Sequence, residues 1–160
     1  RGLSSSIGNR AGSVGVVVGL LMLAQPTAQT VLENYGRTLP DTRLLARSWA
    51  MLHLPPGSRI AQEEYSAPLD ADRYSLYIHA AVSGQPVEHY CQAEFDYIML
   101  SSKIQQRYYA ESVRYRSNLA FYAYLAERAP VVYRVAPARW HTVGPAITVY
   151  SLAGCSQWTH

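Results

Sequence analysis

Residues 41–63 read DTRLLARSWAMLHLPPGSRIAQE, a helix, a hard stop and a strand in a single run. Asp41 stands where an N-cap belongs, its carboxylate able to accept from the free N–H groups of the first turn. Leu45, Trp49 and Leu52 follow at i, i+4 and i+7, with Leu44 and Met51 beside them, which predicts one buried apolar face. Pro55-Pro56-Gly57 ends the helix, because proline lacks the N–H and drives the residue before it out of the helical region. Ser58 to Glu63 then reads as a short strand.

The pattern repeats toward the C-terminus. Tyr74 to Ala81 (YSLYIHAA) alternates Leu76, Ile78 and Ala80 against Ser75, Tyr77 and His79, a half-buried strand closed by the turn at Gly84 to Pro86. Phe95 to Leu100 (FDYIML) is a third strand. Residues 103–116 are polar and aromatic without a clean period. Asn118 to Arg128 is helical, with Phe121 and Leu125 four apart and Leu119 and Tyr122 three apart, and Ala129-Pro130 stops it. Val131 to Val135 and Ile147 to Leu152 are the last strands, separated by a loop containing Gly144-Pro145. About five strands alternating with two helices predict an α/β sandwich with a mixed sheet over residues 41–160.

Toward the N-terminus, Ala11 to Ala24 (AGSVGVVVGLLMLA) carries no charge over fourteen residues. As a helix it covers roughly 21 Å of a ~30 Å hydrocarbon core, and extension through Leu32 makes a polar-ended span. Three readings compete: the core of a signal peptide flanked by Arg10, a transmembrane helix whose Gly15 and Gly19 suit close helix packing, and a buried core helix. The first two share an orientation, with Arg1 and Arg10 inside and everything after Leu32 exported. The expected layout is a cytoplasmic flank at 1–12, a transmembrane helix at 13–32, a connector at 33–40 and an extracytoplasmic domain at 41–160. The first residue is Arg rather than Met, so the chain reads as a piece of something longer.

Composition narrows the function. The 160 residues are 49% apolar and 16% charged, which excludes a disordered chain. The basic residues are 13 Arg and the single Lys103, and beyond the two N-terminal arginines the balance falls to +1. That is no electrostatic footprint for nucleic acid.

No nucleophile elbow, P-loop or dinucleotide fingerprint occurs. The five histidines lack metal spacing, so no metal and no cofactor is expected in this part, and no catalytic residue is assigned. Cys91 precedes the third strand and Cys155 follows the last. If those strands pair antiparallel their ends meet within reach of a disulfide, which an exported compartment permits; the alternative is two unpaired thiols. Glu63-Glu64-Tyr65 follows a strand, a common address for ligand-facing groups in α/β sheets, against the plainer reading of a solvated loop. Arg107-Tyr108-Tyr109 through Arg116 interleaves arginine with tyrosine, residues that suit lipid headgroups or sugar as well as the packing of a helix on the sheet.

In order, Asp41-Thr42-Arg43, Ala46, Trp49, Pro55-Pro56-Gly57-Ser58, Ile60-Ala61, Glu63, Asp96-Tyr97-Ile98, Ser101-Ser102, Arg107-Tyr108, Phe121-Tyr122, Leu125, Gly144-Pro145-Ala146-Ile147 and Tyr150 form a string. It resembles the C-terminal extracytoplasmic domain of bacterial membrane glycosyltransferases of the protein-mannosyltransferase-like, GT-C type, over residues 13–152. The resemblance implies a polytopic enzyme transferring a sugar from a polyprenyl-phosphate carrier outside the cytoplasm, with its catalytic carboxylate in an earlier loop absent from this chain. This part would be accessory and non-catalytic. Its implied partners are membrane lipid, the lipid-linked sugar and the membrane domain of the same protein, and no nucleic acid.

The rival expectation is an exported, non-catalytic binding or interaction domain behind a signal peptide. In the membrane reading the eight-residue connector reaches at most about 29 Å, which holds the domain against the headgroups. Arg107, Tyr108, Tyr109, Glu63 and Tyr65 are then the expected substrate- or membrane-contacting residues.

Overall fold

The computed structural model describes residues 38–158 and, before them, residues 26, 29, 30, 34 and 35. By contacts the chain divides into Arg1–Leu39 and Pro40–His160. Most of the expected 13–32 helix lies outside the described residues, among which no helix is long and apolar enough to cross a membrane.

The second unit opens with α1 (Thr42–His53), capped by Asp41, whose carboxylate accepts from the Arg43 N–H at 2.8 Å. The expected Leu45–Trp49–Leu52 face is not the buried one. Ala46 and Ala50 are fully buried with Thr42, whereas Leu52 is 81% exposed and Leu44 lies on the outside. Four-residue spacing puts Thr42, Ala46 and Ala50 on one line, and their small side chains let the helix backbone approach the sheet closely. Trp49 is half-buried at the margin of this contact and stacks on Tyr133 with ring centroids 4.4 Å apart.

Five strands form one mixed sheet: β1 (Arg59–Glu63), β2 (Ser75–His79), β3 (Tyr97–Ser101), β4 (Val131–Val135) and β5 (Ile147–Ser151). Their order across the sheet is β2-β1-β3-β5-β4. β1 runs parallel to both neighbours, and β5 runs antiparallel to β3 and β4. The architecture is thus α/β with a mixed five-stranded sheet and, among the described residues of this unit, four α-helices: α1, α2 (Val87–Gln92), α3 (Ser102–Ala110) and α4 (Arg116–Arg128).

Alternation along the strands fills two cores. Ile60, Met99, Ile147 and Val149 meet α1 together with Leu54 and Tyr74. Ala61, Ile98, Leu100 and Tyr150 meet α4, through Phe121, Tyr122 and Leu125, with Val82 and Tyr90 beside them. Two buried tyrosine hydroxyls donate to backbone carbonyls, Tyr74 to Ala50 at 2.8 Å and Tyr90 to Val82 at 2.7 Å, so neither is left unpaired in the interior. β2 is an edge strand, and Ile78 on it is 56% exposed rather than half-buried.

Two helices fall where the sequence showed none. Residues 103–116 hold most of α3 and the start of α4. In α3 only Ile104 is buried, so no apolar stripe marks it. The six-residue α2 is shorter than two turns, and periodicity has little to act on. β3 and β5 pair antiparallel with Tyr97 opposite Ser151, and the Leu152 N–H donates to the Asp96 carbonyl at 2.8 Å. Beyond those ends Cys91 and Cys155 are joined in a disulfide, their Cα atoms 5.8 Å apart. It ties α2 to the short turn after β5.

Candidate functional site

The carboxyl end of β1 is where the chain's topology changes side: β2 lies to one flank of β1 and β3 to the other. Crevices at such points are the usual ligand positions in open α/β sheets. Two environments meet there.

The inner one is built on Glu63, which is 1% exposed. The Tyr122 hydroxyl of α4 donates to Glu63 Oε1 at 2.5 Å, and the Ser101 N–H at the end of β3 donates to Oε2 at 2.9 Å. Behind Tyr122 the chain of donors continues. The Ser83 hydroxyl donates to the Tyr122 oxygen at 3.2 Å, and Asn118 Nδ2 donates to Ser83 Oγ at 2.9 Å. Burial raises the Glu63 carboxyl from its ordinary 4.5 to about 7, although hydrogen bonds from Tyr122 and from the amides of Ser101 and Val82 pull it down. Burial, and the Glu63 charge after it, raise the Tyr122 phenol far above its usual value. Four segments distant in sequence are thereby knotted at one carboxylate.

The outer environment is a rim formed by three elements. After β1 the chain turns through Tyr65, which has the left-handed φ of +63° and whose carbonyl accepts from Ser101 Oγ at 3.2 Å. At the start of α3, the Ser102 N–H donates to the Ala146 carbonyl and Ser102 Oγ accepts from the Ala146 N–H, both at 2.9 Å. At the start of α1, the Thr42 hydroxyl donates to the Pro145 carbonyl at 2.6 Å, and the Thr42 N–H to Val143 at 2.8 Å. Gly144 is required at this seam. Its φ is +104°, and a Cβ there would lie 2.5 Å from Thr42 Oγ1 and 2.8 Å from Asp41 Oδ1.

The rim encloses an open cavity of about 410 Å³ lined by Arg43, Tyr65, Ser102, Lys103, Gln106 and Gly144, among others. Lys103 Nζ sits 4.2 Å from the centre of the Tyr65 ring and Arg107 Cζ 6.0 Å from it, the range of cation–π attraction. Arg43 is paired through Nε and Nη2 with Asp41, whose carboxyl is held below the usual range chiefly by that hydrogen bond.

Of the residues expected to contact substrate or membrane, Tyr65 and Arg107 share this rim. Glu63 lies beneath it, turned inward and sealed by its partners. Tyr108 packs inward against Tyr115 and Tyr122, with ring centroids at 4.8 and 6.1 Å, and Tyr109 is 63% exposed. Sequence reasoning singles out neither Lys103 nor Arg43 for this place. The i, i+4 spacing of Lys103 and Arg107 is the signal that would have found the first, once a helix had been assigned there. Nothing local points to Tyr122 as the partner of Glu63, 59 residues away in the chain. No group of three His, Cys, Asp or Glu that could hold a metal occurs among the described residues. Comparison with known protein families, characterised proteins and solved structures finds no match for the chain.

Proposed function

We infer that this chain is the accessory, non-catalytic C-terminal part of an integral-membrane glycosyltransferase of the protein-mannosyltransferase-like, GT-C type. It would follow a transmembrane helix at residues 13–32, stand on the extracytoplasmic side from residue 33 onward, and help to hold a polyprenyl-phosphate-linked sugar. The observation that carries this reading is a convergence. Asp41-Thr42-Arg43, Ser101-Ser102, Arg107 and Gly144-Pro145-Ala146, the segments that bear much of the resemblance, meet at the single rim on the carboxyl edge of the sheet.

Two further features support it. The strand-end carboxylate is locked by Tyr122 and Ser101 and 1% exposed, so the rim presents binding groups rather than an accessible acid–base pair. A disulfide suits an oxidising, exported compartment.

The test is a transfer assay on the full chain in nanodiscs supplied with polyprenyl-phosphate-linked hexose. The expected outcome is retention of the lipid-linked sugar without turnover. Turnover by this chain alone, or equal retention of a neutral polyprenol, contradicts the reading.

A further inference from the structure

The geometry points to the rim cavity as a binding site for a phosphate ester, gripped by Lys103 and Arg107 and flanked by Arg43. Lys103 lines the cavity, and Arg107, four residues on along α3, stands beside it over the ring of Tyr65, which Lys103 also faces and which forms part of the cavity wall. Among the described residues no carboxylate lies within ion-pair distance of either, because the ion pairs found there are Arg43–Asp41 and Arg114–Glu111. Glu64, the acid next to Tyr65 in sequence, is exposed and joins no ion pair among the described residues. Asp41 is occupied by Arg43 Nε and Nη2, which leaves Arg43 Nη1 outside that pair.

A cavity lined by the uncompensated Lys103 and the half-compensated Arg43, with the uncompensated Arg107 over the ring of a lining tyrosine, selects for an anion. Its volume of about 410 Å³ exceeds what a bare halide needs and suits a phosphate with an attached group. Arginine and lysine divide the work in the usual way, Arg offering a planar fork to two oxygens and Lys a compact charge to a third. The walls are pre-formed, since backbone hydrogen bonds pin the starts of α1 and α3 to the loop at 143–146 and Ser101 holds the turn at Tyr65. A pre-formed site loses less freedom on binding.

The chain also enters this unit at the same edge. The Val143 N–H donates to the carbonyl of Pro40 at 3.0 Å, two residues before the helix that carries Arg43 begins. The inference deepens the functional reading above, and rests on it only for the source of the phosphate, a lipid-linked one.

Lys103 is the sole lysine, so lysine labelled with 13C at Cε gives one side-chain NMR signal in the full chain. With the chain in neutral-lipid nanodiscs, that signal is followed in two arms. One titrates hexose 1-phosphate in solution; the other replaces part of the neutral lipid with polyprenyl phosphate. The expected result is a saturable movement of the Lys103 signal, weakened at least tenfold by Arg107→Ala and largely restored by Arg107→Lys. Arg107 is exposed, and an unchanged melting temperature verifies that the variant folds.

Movement in the lipid arm assigns the headgroup as the source, and movement in both arms assigns the phosphate irrespective of its carrier. Movement in the soluble arm alone supports the site while removing the lipid-linked substrate from the functional reading. A Lys103 signal that stays still in both arms overturns the site, as does a response that Arg107→Ala leaves unchanged.

Discussion

Glu63 and Tyr65 stand two residues apart at the end of β1 and occupy opposite conditions. Glu63 is 1% exposed and holds hydrogen bonds from α4 and β3, whereas Tyr65 is 42% exposed and carries two cations over its ring. The difference arises where strand alternation stops. Glu63 is the last residue whose direction the pleat dictates, and the left-handed turn at Tyr65 swings the chain out of the sheet.

The two sites also differ in what their charges do. A buried carboxylate is costly to ionise, so Glu63 and its donors make a cross-link between elements whose strength depends on protonation. Exposed cations on a rim contribute about 0–1 kcal/mol to stability at most. Their grouping at the cavity therefore calls for an explanation other than stability.

Several changes would break or sharpen this contrast between interior and rim. The largest effect belongs to Cys91→Ser. The disulfide closes a loop with a sequence separation of 64 residues, worth about 4 kcal/mol by the loop-entropy estimate. Denaturant unfolding should show a loss of that order, while phosphate response at Lys103, measured below the transition, stays as it was.

Next comes pH. The Glu63 carboxyl is raised from 4.5 to about 7 in the folded chain, so between those values the folded state holds a proton that the unfolded state has released. Its contribution is fully present below pH 4.5 and is lost as pH rises to 7, by at most about 3 kcal/mol. Glu63→Gln should remove that part of the fall in stability between pH 5 and 7.5, read as melting temperature against pH. Asp41, lowered by Arg43, works in the opposite sense and loses its contribution as pH falls through its folded value, but its partner is substantially exposed and the effect is small.

Tyr122→Phe removes the donor on Glu63 Oε1 and should cost about 1–3 kcal/mol at pH 8, where the carboxylate is charged, and less at pH 5. A cost independent of pH would separate Tyr122 from Glu63. The smallest contrast lies on α1. Ala46→Leu forces volume into a fully buried contact and should cost about 1–3 kcal/mol. Leu52→Ser, at an 81% exposed position, should stay within about 0.5 kcal/mol of the parent.

The strands were legible because their signals are local. Alternation and Pro/Gly stops place β4 at Val131–Val135, and β1 and β5 to within a residue at one end. The capping of α1 by Asp41 is equally local, since it needs only the first turn. The buried face of α1 was not legible, because size decided it: leucines outrank alanines in any hydrophobic count, yet only small side chains allow the close approach made by Ala46 and Ala50. α3 carries no legible apolar stripe, because Ile104 alone is fully buried on it and its inward neighbour one turn on, Tyr108, is only half-buried.

The candidate site was half legible. Tyr65 and Arg107 carry local marks, a strand end and an arginine–tyrosine run. The cations Lys103 and Arg43 join them only through the fold, and the burial of Glu63 depends on Tyr122 from a distant helix.

The measurement that bears most directly on the contrast is a 13C carboxyl NMR titration of Glu63 in the full chain, with Glu63→Gln assigning the signal. A sealed interior acid predicts a midpoint near 7, moved upward in Tyr122→Phe as its stabilising donor is lost. A midpoint at the ordinary 4.5, unaffected by Tyr122→Phe, would place Glu63 in water and contradict the division between sealed interior and open rim.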